Sequence, residues 1–354
     1  MQSAETEYLL CKGKAVLKHG EYPGYQEPLT FGIYHCSQCN TAFSLPRVDS
    51  SAIYENIYGN GEKVPGYSRY WKYARIIKNV PDPLDYLAES HEDYWSVREA
   101  LTMFVDDKKT NKILEIGSGL GYLTYSLNTA GYDATGMDIS KTAVDQANRN
   151  FGNHYICRDL FEYSEQSPAS YEIVILTEVI EHVDDPVGFV RAIIKLLKPG
   201  GKAIISTPNK SLFPGDVIWA SDLPPVHIWW LSEDSMKFIA GKVNASLKII
   251  SFSKYYKRHY QMFSLKKLLK NGLPRPFFNQ NGDLIREIRS RSGFKSGFQY
   301  VIIRSKVLSG TLFAVKRFFK NIYGKLRGAF SSGVIVCGER GQILCTVFIK
   351  PLAD

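Results

Sequence analysis

The chain contains 354 residues, of which 44% are hydrophobic and 22% charged, and this composition excludes a predominantly disordered, collagen-like or low-complexity protein. It has no run of about 18 uncharged apolar residues and its start lacks the order of a secretory signal, so we expect a cytoplasmic protein with reduced cysteines. The net charge of +9 is unevenly distributed, because 18 lysines and arginines but only two acidic residues lie between Lys254 and Arg327. Such a block indicates either an anionic partner or a solvated basic surface.

Composition and periodicity divide the chain into five segments. We predict a cysteine-containing module at 1–45, a helical, aromatic-rich cap at 46–110, an α/β core at 111–254, a basic insertion at 255–333 and a closing hairpin at 334–354.

The N-terminal module has the spacing of a zinc knuckle. It contains three cysteines, the last two in a C-x-x-C pair: Cys11, Cys36 and Cys39. A structural zinc needs four ligands, and Lys14 stands where a partner of Cys11 is expected. The fourth ligand is therefore His19 or His35, or the site is degenerate and holds no metal.

The core alternates apolar strands with amphipathic helices. The predicted strands are 112–117, 133–139, 154–159, 172–179, 201–207 and 247–253. This alternation favours a doubly wound, mostly parallel α/β sheet, to which the closing hairpin, with its turn at Gly338 and Gly341, adds a seventh strand. Right-handed crossovers place the carboxyl ends of the parallel strands at one edge, where ligands bind.

The strongest local motif joins the first strand to its helix and contains Glu115, Gly117, Gly119 and Gly121. Glycines allow a tight turn and let a ligand lie against the backbone, and the helix N-terminus offers unpaired N–H groups. A dinucleotide fingerprint would have its third glycine at the position of Tyr122. No pyrophosphate therefore needs to be bound here, and Glu115 suits a ligand with a cationic amine.

Two aspartates end the next two strands. Asp138 can accept hydrogen bonds from both hydroxyls of a ribose, or it caps the next helix, although Ser140 can do that itself. Asp159 can accept from an adenine amino group, or it is an ordinary turn aspartate.

With these residues in place, the stretch 110–254 resembles the class I S-adenosylmethionine (SAM)-dependent methyltransferases. The resemblance implies that the glycine loop and Glu115 surround the methionine part of SAM, that Asp138 holds the ribose, and that Asp159 lies near the adenine. The segments LTEVIEHVDDP (176–186) and LLKPGGKAIISTPN (196–209) are similar to those of the ubiquinone-biosynthesis O-methyltransferase branch.

The same resemblance locates the methyl acceptor near the end of the fourth strand. Glu178, Glu181 and His182 would lie beside the methyl group, and a hydroxyl acceptor needs a base to take its proton. His182 is one candidate base, or it ties the loop to the backbone. His227 is the other, in a segment that resembles the Pro-Pro-His-His of sugar methyltransferases, with Val226 interrupting the histidine pair. The alternative for His227 is a packed loop histidine. Our candidate catalytic residues are His227, His182 and Glu178.

The cysteine segment YHCSQCNTAFSLP resembles the zinc-ribbon module that precedes many sugar-modifying methyltransferases. This resemblance implies a structural zinc, if the site is complete.

The basic insertion contains an amphipathic pattern over 311–327, with aromatic and aliphatic residues on one side and lysines and arginines on the other. This pattern is typical of a helix that lies on an anionic membrane surface. Packing against the protein's own core or in a dimer is the alternative, and nucleic acid is a less favoured partner because aromatic and basic residues do not interleave.

Together these features predict a methyltransferase, peripheral at the inner face of the membrane, that acts on a hydroxyl of a sugar, glycan or lipid-linked small molecule. An RNA-modifying enzyme and a catalytically silent scaffold remain alternatives, and the oligomeric state is open.

Overall fold

The computed structural model describes residues 5–7, 10–64, 66–108, 110–213, 222–264, 273–285 and 334–352. The predicted amphipathic helix over 311–327 lies outside the described residues. The strands are β1 (Glu5–Glu7), β2 (Lys14–Pro23), β3 (Thr30–Cys36), β4 (Thr41–Leu45), β5 (Lys112–Ile116), β6 (Asp133–Asp138), β7 (Tyr155–Cys157), β8 (Tyr171–Thr177), β9 (Leu197–Pro208), β10 (Trp229–Trp230), β11 (Ser246–Ile249), β12 (Met262–Ser264), β13 (Val334–Val336) and β14 (Ile343–Ile349). The helices are α1 (Ser51–Gly59), α2 (Ser68–Ile76), α3 (Pro83–Ser90), α4 (Glu92–Phe104), α5 (Tyr122–Thr129), α6 (Lys141–Phe151), α7 (Leu160–Gln166), α8 (Pro186–Leu196), α9 (Glu233–Lys242) and α10 (Ser253–Arg258). Short 3-10 turns cover Ile77–Asn79, Ile180–His182 and Lys210–Leu212.

The core sheet has seven strands in the order β11-β14-β9-β8-β5-β6-β7. Strands β5 to β9 pair in parallel, whereas β14 is antiparallel to both of its neighbours, β9 and β11. The prediction of a doubly wound, mostly parallel, seven-stranded α/β sheet is therefore confirmed. The carboxyl ends of the parallel strands meet at one edge.

Both faces of this sheet are covered, which explains the near-continuous apolar strands in the sequence. Successive residues of β8 alternate between two buried clusters: Ile173 and Ile175 pack on the face that contains α4 and α5, and Val174 and Leu176 pack on the face that contains α8 and α9. Strand β8 therefore contributes to two cores.

The segment predicted as a closing hairpin differs from the prediction. Val334–Val336 pairs with Met262–Ser264 in a separate two-stranded sheet, and only Ile343–Ile349 enters the core sheet. The turn glycines Gly338 and Gly341 thus lie between two sheets rather than between two paired strands. The error arose because two apolar runs separated by glycines satisfy the hairpin pattern locally, whereas the partner of the first run is distant in sequence.

The N-terminal module shares its sheet with the core. Its strands have the order β1-β2-β3-β4-β10, so a two-residue strand from the segment after β9 completes it. Trp229 and Trp230, which form β10, are each 1% exposed and pack as core residues. The module is therefore joined to the core by main-chain hydrogen bonds.

The region predicted as a helical cap is helical, and its second half packs into the core. Leu87 of α3 and Trp95 and Leu101 of α4 belong to the same buried cluster as Ile113 of β5. Helices α3 and α4 are thus part of the core, and residue 110 is not a boundary between packing units.

Within the described ranges, no helix is long and apolar enough to cross a lipid bilayer.

Candidate functional site

The glycine loop follows β5 in a conformation that favours glycine. Gly117, Gly119 and Gly121 have φ values of +72°, +48° and +83°, a region that other residues enter only with strain. A side chain on Gly121 would meet the Ala147 methyl group at 2.7 Å, whereas a side chain on Gly119 would have no neighbour within 4 Å. The loop is therefore packed on one side and open on the other.

The open side of the loop faces the end of β6. The N–H of Gly119 donates to Asp138 Oδ2 at 2.8 Å, and the N–H of Ser140 donates to Asp138 Oδ1 at 2.8 Å. Burial raises the pKa of Asp138. Each carboxylate oxygen keeps a further lone pair, so the side chain can still accept from a ligand. The Ser140 hydroxyl accepts from the N–H of Ala143 at 3.3 Å and thereby caps α6 itself, as the sequence suggested.

Ile139, the residue after Asp138, is 75% exposed. An apolar side chain at this edge offers a packing surface for a flat ring, next to the carboxylate predicted to hold the ribose.

Asp159 caps α7. Its Oδ1 accepts from the N–H groups of Phe161 and Glu162, at 2.8 and 3.1 Å. The structure thus shows the capping role for one oxygen, and a contact between the other oxygen and an adenine stays a prediction.

Glu115 lies beneath the glycine loop and is 3% exposed. Its carboxylate accepts from the Thr124 hydroxyl in the first turn of α5, and burial raises its pKa to about 8. Glu115 therefore joins the loop to the helix.

At the end of β8, the carboxylate of Glu178 is engaged by the cap. The Arg69 guanidinium and the Tyr70 hydroxyl, both on α2, donate to Glu178 Oε2, the latter at 3.0 Å. Burial raises the pKa of Glu178, and the charge of Asp93 adds to that effect. We predicted acid–base chemistry for Glu178, but this ion pair instead favours a role in holding α2 over the sheet edge.

No local pattern in the sequence indicates the partners of Glu178. Arg69 also donates to His91 Nε2 at 2.7 Å, and His91 Nδ1 lies 2.6 Å from Asp93 Oδ2. A chain of charged side chains thus runs from α2 to α4 along the acceptor side of the sheet. It was missed because α2 has the pattern of an aromatic helix, and the acidic partner of Arg69 is 109 residues away in the sequence.

Two histidines and a glutamate meet beside this row of charged side chains. The rings of His182 and His227 are 4.5 Å apart, and His182 Nε2 is 3.8 Å from Glu181 Oε1. His182 Nδ1 donates to the Val226 carbonyl at 2.5 Å, so His182 does tie the loop to the backbone. His227 Nδ1 is buried without a hydrogen-bond partner.

Burial favours the neutral form of both imidazoles. Burial lowers the pKa of His182. Burial also lowers the pKa of His227 well below its usual value, and repulsion from a protonated His182 and from the Arg69 guanidinium would add to this effect. Conversely, burial holds the pKa of Glu181 well above its usual value, as does the charge of Glu178.

The three cysteines of the N-terminal module also come together. One sulfur from each lies within 4.8 Å of the others, with Cys11 Sγ and Cys36 Sγ 3.5 Å apart. His35 is not part of this group and hydrogen-bonds Asn40 at 3.0 Å, and His19 is not part of it either. In the described part of the N-terminal module, this cluster thus contains three potential ligands, all of them thiols.

Comparisons with known proteins identify the family of the core domain. Residues 89–271, just over half of the chain, match the family model described as a methyltransferase domain. A ubiquinone biosynthesis O-methyltransferase from Vibrio atlanticus is 34% identical over 153 residues, which cover 41% of this chain and 59% of that protein. The enzyme of the same name from Idiomarina loihiensis is 35% identical over 106 residues, covering 28% and 44%. The chain therefore spans about half the length of the curated relatives it matches.

Solved structures with a similar arrangement include a SAM-dependent methyltransferase from Archaeoglobus fulgidus, with a TM-score of 0.41 and 17% identity over 72% of this chain and 93% of that one. A SAM-dependent methyltransferase from Thermotoga maritima, described as a possible histamine N-methyltransferase, has a TM-score of 0.41 and 14% identity over 84% and 98%.

The fold, the glycine loop and the family match define a class I SAM-dependent methyltransferase. This chain belongs to the methyltransferase domain family, and it resembles the ubiquinone-biosynthesis branch of O-methyltransferases over its core.

Proposed function

We propose that this chain transfers a methyl group from SAM to a hydroxyl of a sugar or of a lipid-linked small molecule. The observation that carries the proposal is the direct contact between the loop predicted to hold SAM and the segment that carries the acceptor-side groups. A side chain on Gly117 would meet Val179 Cγ2 at 2.5 Å, and Glu181 and His182 follow Val179 in the same turn.

The residues at the sheet edge fit SAM. The open space above Gly119 admits a ligand against the backbone, Asp138 retains acceptor capacity for ribose hydroxyls, and Ile139 offers an apolar surface. When bound there, SAM supplies a methyl group that is electrophilic because it is attached to a sulfonium.

The acceptor-side residues can prepare a hydroxyl. Neutral His227 has an unpartnered Nδ1 that can take the hydroxyl proton, and positioning of the oxygen against the methyl group provides much of the rate. The ring of Tyr54 lies 6.4 Å from that of His182, so α1 also borders this region.

The N-terminal module supports the acceptor segment. The Tyr25 N–H donates to the Pro224 carbonyl at 2.6 Å, and the Ser44 N–H donates to the Ile228 carbonyl at 3.2 Å. These bonds flank His227 on both sides. We propose that the module, with a structural zinc on its three thiolates and one exogenous ligand, fixes the position of His227. The resemblance of this module to those of sugar-modifying methyltransferases is the reason for favouring a sugar acceptor.

Calorimetric titration with SAM and with its demethylated product tests the cofactor site. We expect micromolar binding to the wild-type chain and a loss of about 10- to 100-fold in Asp138→Ala, since hydrogen bonds to a charged acceptor contribute about 1.5–3 kcal/mol. Asp133→Ala is the matched control, because Asp133 begins the same strand at the opposite edge and is exposed. Failure of both ligands to bind the wild-type chain would refute the proposal and favour a silent scaffold.

A further inference from the structure

Residues 273–285 of the basic insertion, which we call the brace, pack against the N-terminal module. Phe277 and Phe278 of the brace are 1% and 0% exposed. The N–H groups of both phenylalanines donate to the Tyr25 carbonyl, at 2.9 and 3.2 Å. The ring of Phe277 stacks on that of Tyr25, with 4.5 Å between the ring centroids. The brace is therefore packed into the protein, whereas composition alone indicates a charged surface segment.

The brace also contacts α1. Its two phenylalanines share a buried cluster with Ile53 and Ile57 of this helix. A side chain on Gly282 would lie 2.8 Å from Asn56 Nδ2, so the turn of the brace touches the helix directly. Helix α1 has nine residues and no side-chain cap at its N-terminus, and helices of this length are marginal without tertiary packing. The position of α1 thus depends on the brace and on the cluster that they share.

The opposite side of α1 faces the sheet edge. Tyr54 and Tyr58 are spaced by one turn and lie on the same side of the helix. Asn56, which meets the brace, is two positions from each tyrosine, about 200° round the helix. The ring of Tyr54 is 6.4 Å from that of His182. Burial raises the pKa of Tyr58, and so does the nearby charge of Asp138. Helix α1 therefore extends from the acceptor-side histidine to the carboxylate predicted to hold the ribose.

We propose that the brace is a positioning element of this site, which holds α1 so that Tyr58 contacts bound SAM and Tyr54 contacts the acceptor. The inference rests on the proposed function, since it requires SAM to occupy the space above Gly119 and beside Asp138. Tyr58 is 39% exposed, which leaves its side chain accessible to a ligand. A phenol offers an apolar face and a hydrogen-bonding hydroxyl, and both suit a nucleoside.

This arrangement couples the insertion to the cofactor. Coupling between two sites is reciprocal, so a brace that helps α1 to hold SAM is itself held more firmly when SAM is bound. An opening of the brace that requires release of the ligand becomes up to about 100-fold rarer when the ligand is present at about 100 times its Kd.

Hydrogen exchange of the full wild-type chain, with and without the demethylated product of SAM, tests this coupling. We expect the amides of Ser51–Gly59, and those of Phe277 and Phe278, to exchange at least about tenfold more slowly with the ligand bound. The strand Ser246–Ile249 is the internal control, because it forms the far edge of the core sheet, and its exchange should not change.

Substitutions separate positioning from stability. Phe277→Ala loosens the brace and Tyr58→Ala removes the proposed contact, and each should weaken binding of the demethylated product by about tenfold in a calorimetric titration. The double variant should bind about as weakly as the weaker single variant, because both substitutions act through one contact. Phe238→Ala on α9 and Tyr132→Ala just before β6 are the matched controls. Both are partly buried aromatic residues outside the site, and these variants should bind as the wild type does.

Three results would overturn the positioning role: unchanged exchange of the brace on ligand binding, wild-type affinity in Phe277→Ala, or additive losses in the double variant. If circular dichroism shows that Phe277→Ala does not fold, the wild-type exchange and the affinity of Tyr58→Ala decide, and wild-type affinity in Tyr58→Ala would overturn the role. A wild-type chain that binds neither SAM nor its product refutes the proposed function, whereas one that binds the product without protecting the brace refutes the positioning role alone.

Discussion

The last two glycines of the loop, Gly119 and Gly121, should respond to the same substitution in opposite ways. Both have positive φ, so an alanine at either position costs about 1–2 kcal/mol of backbone strain. Their surroundings differ. The added methyl group at Gly121 would lie 2.7 Å from both the Ala147 Cβ and the ring of Tyr155, whereas at Gly119 it would point into open space.

Neither neighbour of Gly121 can move aside easily. Ala147 is fully buried and has no rotatable side chain, and the hydroxyl of Tyr155 is fixed by its bond to the Gly121 carbonyl at 2.6 Å. Overpacking of this kind costs about 1–3 kcal/mol. Gly121→Ala should therefore lower the free energy of unfolding by about 2–5 kcal/mol, against about 1–2 kcal/mol for Gly119→Ala.

Ligand binding should show the reverse order. The space that the methyl group of Gly119→Ala enters is the space proposed for SAM, so this variant should lose affinity by more than about tenfold while retaining most of its stability. Urea unfolding followed by circular dichroism gives the first quantity, and calorimetric titration with the demethylated product of SAM gives the second. Equal destabilisation of the two variants, or wild-type affinity in Gly119→Ala, would refute the reasoning.

Two further predictions concern buried groups. The folded chain holds a proton on Glu115 up to about pH 8, while the unfolded chain releases it near 4.5, so the free energy of unfolding should fall as pH rises between these values. Glu115→Gln should remove that part of the pH dependence, which urea unfolding at a series of pH values would measure. The same pH dependence in the variant and the wild type would contradict the assignment. Protein purified without a histidine tag should contain close to one zinc per chain, and Cys36→Ser should lose it; elemental analysis showing under about 0.2 zinc per wild-type chain would remove the thiolate site from the proposal.

The elements that sequence could predict are those whose signals are local. The strand before the glycine loop and the strand that ends at Asp138 were predicted to within one residue, because buried parallel strands and their loops carry composition and spacing within a few residues. Since parallel strands end at one edge, the approximate grouping of Glu115, Asp138 and Glu178 followed from topology alone.

The parts that were missed depend on contacts between distant segments. The pairing of Val334–Val336 with Met262–Ser264 and the completion of the N-terminal sheet by Trp229–Trp230 involve short strands whose partners no periodicity reveals. The ion pair of Arg69 could not be predicted for the same reason, because its partner Glu178 is 109 residues away. The membrane contact expected for 311–327 stays a prediction from sequence.

These long-range contacts also determine which groups face the acceptor. The carboxylate of Glu178 is held away from the acceptor by its ion pair with Arg69, a residue of α2. Ligand atoms of Glu181 and His182, by contrast, lie close to His227. His227 itself is held between main-chain bonds to the N-terminal module. The glycines and carboxylates of the sheet edge that fits SAM all come from the core, but the acceptor side needs the core, the cap and the module together. Changes in the module should therefore alter acceptor use before they alter SAM binding.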